Sequence, residues 1–175
     1  MAQLGHYLQT LERWSRRLNL TALDTAVARV DRLVRDAVTV APQLAPGRLA
    51  DIGSGNGAPG LVLAILRPDV SVTLLEPRLR RVVFLEEVSS QLRLPNLAVA
   101  RSRHDGWTGE RFETLTLKAL ELPLEELLPL LRPSGAVWRF GGRPKTAPGF
   151  ELERSVEVAG STLRLFRHVP NEPSR

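Results

Sequence analysis

Apolar residues recur at helical spacing from the start of the chain: Leu4, Tyr7, Leu8, Leu11, Trp14 and Leu18 share a side, while Glu12, Arg13, Arg16 and Arg17 fill others. This spacing predicts an amphipathic helix with a basic side over residues 1–20. After Asn19-Leu20-Thr21 the pattern returns in Ala26, Val27, Val30, Leu33, Val34, Ala37 and Val38. Asp24 or Thr25 supplies an N-cap for this second helix, which ends before Pro42. From Pro46-Gly47 the period changes. A short apolar run at 48–52 leads through glycines into a helical pattern at 59–66, giving strand, turn and helix. Strands at 71–76, 97–101, 112–120 and 136–140 then alternate with helices at 79–92 and 122–131. Such alternation implies βαβ units and a mostly parallel sheet. Two last runs, 151–158 and 162–169, flank Ala159-Gly160-Ser161 as a β-hairpin does. The predicted fold is α/β, with an antiparallel edge on the sheet and helices in front of it.

Length and composition bound this picture. The 175 residues, 43% hydrophobic and 25% charged, suit one globular domain. No repeat or linker divides it, so 1–175 reads as a single unit: a helical segment at 1–45 and an α/β core at 46–175. There is no Cys, and His6, His104 and His168 lie far apart. Disulfide scaffolds, cysteine zinc sites and compact histidine metal clusters are excluded, and no metal is expected. The N-terminus lacks the features of a signal peptide, and no stretch is apolar enough to span a bilayer. A cytoplasmic protein, acting without a membrane and as a monomer, is the expectation.

The net charge of +5 is unevenly spread. Residues 132–149 hold four basic side chains and no acid, whereas 104–131 hold two basic against six acidic. Arg139, Arg143 and Lys145, in or beside the Gly/Pro loop at 141–149, are therefore candidate contacts for RNA phosphates. Two further clusters, Arg13/Arg16/Arg17 and Arg78/Arg80/Arg81, are either phosphate contacts or solvated helix faces. Trp107 either stacks a base or anchors the core.

The densest chemistry lies at Asp51-Ile52-Gly53-Ser54-Gly55-Asn56-Gly57-Ala58-Pro59-Gly60, where the first strand hands over to a helix. Glycines there permit positive φ and a close approach of ligand to backbone. Gly55-x-Gly57-x-x-Gly60 fits a dinucleotide fingerprint, while Asp51-x-Gly53-x-Gly55-x-Gly57 fits the turn of S-adenosylmethionine methyltransferases. Asp51, at the end of the strand, suits a cationic ligand better than a pyrophosphate, and the length hardly allows a second nucleotide-binding half. Glu76 ends the second strand nineteen positions after Gly57, where an acid accepts ribose hydroxyls; before Pro77 it is also placed to cap a helix. His104-Asp105 follow the third strand, where adenine contacts fall. No Gly-Lys-Ser/Thr follows the glycines, and Ser54 lacks the flanking glycine of a nucleophile elbow, so phosphate-loop and hydrolase chemistry are set aside. Ser54 reads as a turn hydroxyl.

Together these residues resemble a known family. Trp14, Asn19-Leu20-Thr21, Asp36-Ala37-Val38 before Ala41-Pro42, the Asp51–Gly60 turn, Leu74-Leu75-Glu76, Arg80-Arg81-x-x-Phe84-Leu85 and Leu94-x-Asn96 are similar to the RsmG (GidB) family of bacterial 16S rRNA guanine-N7 methyltransferases. The resemblance implies a Rossmann-like class I fold with a seven-stranded sheet, S-adenosylmethionine as cofactor and 16S rRNA or the small ribosomal subunit as partner. It carries cofactor contacts onto Gly53, Ala58, His104, Asp105 and Lys118, with Glu76 at the ribose, and names no catalytic base. Four positions depart from the pattern: Lys118 stands for Arg, Leu33 for His, His104-Asp105 for an apolar-Glu pair, and Arg139-Phe140-Gly141-Gly142 for Leu-Lys-Gly. The alternatives are a divergent S-adenosylmethionine-binding paralogue, with another substrate or no activity, and a nicotinamide-dependent oxidoreductase.

Overall fold

A computed structural model of the chain describes residues 2–18, 20–21, 25–142, 147–158 and 160–170. Helix α1 (Ala2–Leu18) buries Leu4, Tyr7, Thr10 and Leu11 along one stripe, as the apolar spacing dictates. It is strapped to α5 (Leu79–Leu92) by polar contacts as well as by packing. Gln3 donates to the Leu92 carbonyl, Thr10 to Gln91 Oε1, and the Trp14 indole to Glu87. The second predicted helix is present but not uniform: α2 (Ala26–Arg29) widens into a π-helical stretch, Val30–Val34, before α3 (Arg35–Val40). Periodicity alone gives no sign of such a widened turn, which is set by what the turn packs against.

Seven strands form one sheet: β1 (Gly47–Ile52), β2 (Val70–Leu75), β3 (Leu97–Ala100), β4 (Phe112–Lys118), β5 (Leu131–Phe140), β6 (Phe150–Val158) and β7 (Ser161–His168). Their spatial order is β3-β2-β1-β4-β5-β7-β6. The first five are parallel, and β7 inserts antiparallel between β5 and β6. The expected antiparallel edge is thus the final hairpin, with Gly160 in the left-handed region at φ 79°.

Strand side chains alternate between two cores. Leu49, Leu74, Ala136 and Trp138 pack under α1, α3, α4 (Gly60–Leu66) and α5. Ala50, Leu75 and Val137, one residue on, face the other way, against Leu124, Leu127 and Leu130. That second face corrects the predicted helix at 122–131. Leu124–Leu130 is a 3₁₀ segment with Pro129 inside it. Pro129 has no N–H to continue an α-helical ladder, and a spacing of three between buried leucines matches three residues per turn. Two strand limits also move. β4 stops at Lys118, where Ala119 turns with φ 52°, and β5 begins at Leu131, through an irregular stretch containing Ser134 at φ 58°.

Other family-like residues have structural work. Asn96 Nδ2 lies within 3.0–3.2 Å of the carbonyls of Ala64, Arg67 and Val70, joining the end of α4 to β2. Strand order reverses between β1 and β4, and a crevice opens beyond their C-terminal ends, the usual place for a ligand in such sheets. Among the described residues no helix is long and apolar enough to cross a membrane.

Candidate cofactor cavity

Gly53, Gly55 and Gly57 take φ values of 70°, 54° and 93°, so the turn after β1 depends on residues without a Cβ. The Gly53 N–H donates to the Leu75 carbonyl at 2.8 Å and the Gly57 N–H to the Ser54 carbonyl at 2.7 Å. Ser54 Oγ donates to the Asp51 carbonyl, the turn hydroxyl its surroundings predict. Asn56 bridges further: its Oδ1 accepts from the Ala58 N–H, its Nδ2 donates to the Leu20 carbonyl, and its own carbonyl accepts from Tyr7 Oη at 2.9 Å. The N-terminal helix is thereby tied to the turn.

Glu76 follows β2 and is 2% exposed. One carboxylate oxygen accepts the Gly55 N–H and the other the Arg78 N–H, each at 2.9 Å, with Arg81 Nη1 3.8 Å away. Each oxygen keeps a further lone pair for a ligand hydroxyl. The carboxylate therefore fastens the turn to β2 and marks one wall of a cavity of about 490 Å³. The same cavity brings together Gly53, Gly55, Ala58, Glu76 and Lys118 from the predicted set, and adds Asn56, Leu33 and Leu120. Its volume falls within the usual range for small-molecule sites.

Asp51, at the end of β1, and Gly57, within the turn, do not line the cavity. Asp51 is 1% exposed; its Oδ1 accepts from Thr116 Oγ1 at 2.6 Å, and among the described residues no donor reaches Oδ2 in good hydrogen-bond geometry. Burial pushes its pKa up to about 6, with the Thr116 hydrogen bond pulling the other way. Buried Tyr7 is likewise raised, by burial and then by the Asp51 charge. A Cβ on Gly60 would fall 2.5 Å from Asp51 Cβ and 2.6 Å from Leu74 Cδ2. Gly60→Ala is therefore expected to destabilise the fold by ~1–3 kcal/mol, the usual cost of overpacking. Chemical denaturation measures this, and an unchanged midpoint would contradict the contact.

Lys118 donates to Asp36 Oδ2 at 2.9 Å and to the carbonyl of Arg32 in the π-helical stretch, with its ammonium 5.9 Å from the Phe140 ring centre. Leu33 comes from that same stretch, so the widened turn shapes one wall. His104 and Asp105 do not line the cavity. The His104 ring is buried and pairs with Glu126 at 3.1 Å, joining a short 3₁₀ turn, His104–Gly106, to the 3₁₀ segment Leu124–Leu130; exposed Asp105 accepts from Arg103, which holds its carboxyl below the usual range. Arg139, expected beside an RNA-facing loop, is 6% exposed. Its Nη2 reaches the Leu120 carbonyl at 3.5 Å, Nη1 has no partner among the described residues, and burial lowers its pKa. Arg143 and Lys145 lie outside the described residues. Trp107 donates to the Glu110 carbonyl and packs 5.5 Å from Phe112, the anchoring alternative. Tyr7, Asp36, Asn56 and Thr116 were not candidates from sequence. Their one signal was a polar group at a position patterned for burial, as with Asp36 between Val34 and Ala37.

A family model described as rRNA small subunit methyltransferase G matches residues 1–167. The chain belongs to that family. Ribosomal RNA small subunit methyltransferase G of Halorhodospira halophila is 37% identical over 146 residues, 81% of this chain and 69% of that protein. Its counterpart in Clavibacter michiganensis subsp. michiganensis is 41% identical over 136 residues, 77% of this chain and 63% of its own. The chain thus spans about two thirds of the length of the curated relatives it matches. In fold it is similar to an S-adenosylmethionine-dependent methyltransferase from Aquifex aeolicus, at a TM-score of 0.67 and 18% identity, covering 87% of this chain and 97% of that one. The mostly parallel sheet anticipated from the strand pattern is therefore the class I methyltransferase sheet that the family resemblance implied. Membership of methyltransferase G sets aside the oxidoreductase reading of the glycine turn in favour of S-adenosylmethionine.

Proposed function

We propose that this chain transfers a methyl group from S-adenosylmethionine to N7 of a guanine in 16S ribosomal RNA, in the cytoplasm, with residues 1–45 and 46–175 acting as one unit. The observation that carries the reading is the Glu76 carboxylate beside three left-handed glycines at the reversal of strand order. The residues fit the cofactor. Glu76 has lone pairs free for both ribose hydroxyls, Gly53, Gly55 and Ala58 present backbone to the cavity, and Lys118 stands on the far wall. When bound, the cofactor supplies an electrophilic methyl on a sulfonium. Guanine N7 carries a lone pair and no proton, so no general base is required of the protein. What this chain contributes is orientation and exclusion of water. The Asp36–Lys118 pair balances the charge of the lysine on its side of the cavity, and Leu33 and Leu120 add apolar surface against which a planar base can pack.

The direct test uses small subunits from a strain that lacks its own enzyme, with labelled S-adenosylmethionine. Label recovered at a guanine that becomes sensitive to borohydride and aniline, the signature of N7 methylation, is the expected outcome. A folded protein that binds the cofactor and labels no small-subunit RNA would remove the substrate and leave the divergent-paralogue reading.

A further inference from the structure

The arginines around the cofactor cavity are not isolated. Arg78 and Arg81 stand on its wall and also on that of a neighbouring groove of about 550 Å³, which contains Arg80 and Arg17. Arg17 is shared in turn with a third depression holding Arg13 and Arg16, and those two continue into a fourth beside His6. The side chains come from two elements held together by the contacts that strap α1 to α5. A ribbon of guanidinium groups therefore leads out of the cavity, between the start of α5 and the last turns of α1.

Seven arginines elsewhere among the described residues are held in ion pairs: Arg29, Arg35, Arg48, Arg67, Arg103, Arg132 and Arg167 each pair with a carboxylate. Arg16, Arg17, Arg78 and Arg80 are exposed and, among the described residues, have no carboxylate within ion-pair distance. Arg13 hydrogen-bonds only the neutral Thr10 hydroxyl. Of the acids nearby, Glu12 pairs with Arg29, Glu87 accepts from Trp14 and Gln91, and Glu76 binds the turn while reaching one ribbon residue, Arg81, at 3.8 Å. Trp14 lines the third depression with its indole N–H spent on Glu87 and its ring packed at 62° to Phe84, so charge is what most of the ribbon presents. A row of guanidinium groups spread along a surface, most of them without a carboxylate partner, matches the spaced phosphates of a nucleic-acid backbone.

Resting on the proposed function, we infer that this ribbon carries the sugar-phosphate backbone of the substrate RNA on one side of the target guanine. Arg78 and Arg81 meet the phosphates nearest the cavity, and Arg80, Arg17, Arg16 and Arg13 those farther along. The base is read inside the cavity, and the backbone is held outside it. This path does not involve Arg139, which is buried.

The test compares three full-length proteins: the wild type, Arg16→Gln/Arg17→Gln/Arg80→Gln, and a control with the same charge change, Arg132→Gln/Arg154→Gln/Arg167→Gln, around the separate cleft by Gln43. None of these six residues lines the cofactor cavity. Filter binding to a 16S rRNA transcript is measured from 50 to 250 mM salt, and S-adenosylmethionine affinity by calorimetry. The ribbon variant is expected to bind RNA about 10-fold more weakly or worse at physiological salt, with the slope of log affinity against log salt reduced by roughly 2 for three lost phosphate contacts. Its cofactor affinity and thermal midpoint stay at wild-type values. Equal loss in the control, or an unchanged slope in the ribbon variant, overturns the path while the proposed activity stands. A wild type that binds the cofactor but not the transcript overturns the substrate and the path together.

Discussion

Replacing Glu76 with Ala is expected to raise the dissociation constant for S-adenosylmethionine by about 100-fold or more, while the chain stays folded. Hydrogen bonds to a charged group contribute about 1.5–3 kcal/mol each, so losing two ribose hydroxyl contacts amounts to at least two factors of ten. A second effect adds to the first. The Gly55 and Arg78 N–H groups both donate to this carboxylate, and without it the turn is tied to β2 only through the Leu75 carbonyl. Glu76→Gln separates the two effects. The amide keeps the shape and one acceptor oxygen, but its nitrogen cannot accept from a backbone N–H, so an intermediate loss is expected. Calorimetric titration of the three proteins, with circular dichroism as the check on folding, measures it. Wild-type affinity in Glu76→Ala would take the carboxylate out of the cofactor site and would undo the reading of the glycine turn.

The second large effect concerns stability and pH. Asp51 is buried, and burial raises its pKa from 3.8 in the unfolded chain to about 6 against the pull of its hydrogen bonds. For an acid with a raised native pKa, the native state binds more protons than the unfolded one between those values, so stability falls as pH rises through that window. The shift corresponds to roughly 3 kcal/mol. This contribution is present near pH 4, fades towards pH 6 and is absent at pH 7, where the carboxylate is ionised in both states. Asn at this position does not titrate. The difference in unfolding free energy between wild type and Asp51→Asn should therefore change by about that amount between pH 4 and 7, in the sense that the wild type loses ground as pH rises. Asp69, Asp105 and Glu153, whose arginine partners depress their pKa, act in the opposite sense at lower pH but are present in both proteins and cancel. Urea titrations at half-unit pH steps provide the measurement. A difference that stays flat across the window would show that Asp51 reaches water.

Much of this protein was legible in one dimension because its deciding signals are local. The strand–turn–helix at 47–66, the acid at the end of β2 and the closing hairpin are each written in short contiguous stretches, where glycine placement and apolar period act through backbone sterics and burial alone. Where local signals conflicted, the reading slipped. The apolar spacing at 122–131 suits a helix, yet Pro129 removes a donor, and the leucines settle at three per turn.

The sequence by itself determined the α/β class, the helices in front of it, the glycine turn and the acid facing it, together with the family. Tertiary structure decided which ionisable groups meet the cavity. Lys118 is held by Asp36, 82 positions earlier, and the turn by Tyr7, 49 positions before Asn56. Asp51 is sealed under Gly60, His104 faces Glu126, and Arg139 faces inward while Arg80 and Arg17 stand open to solvent. The reason is geometric. Local pattern says that a residue lies on a strand or a helix, but strand order and the packing of α1 against α5 set which distant residues become neighbours, and burial and charge pairing follow from those neighbours.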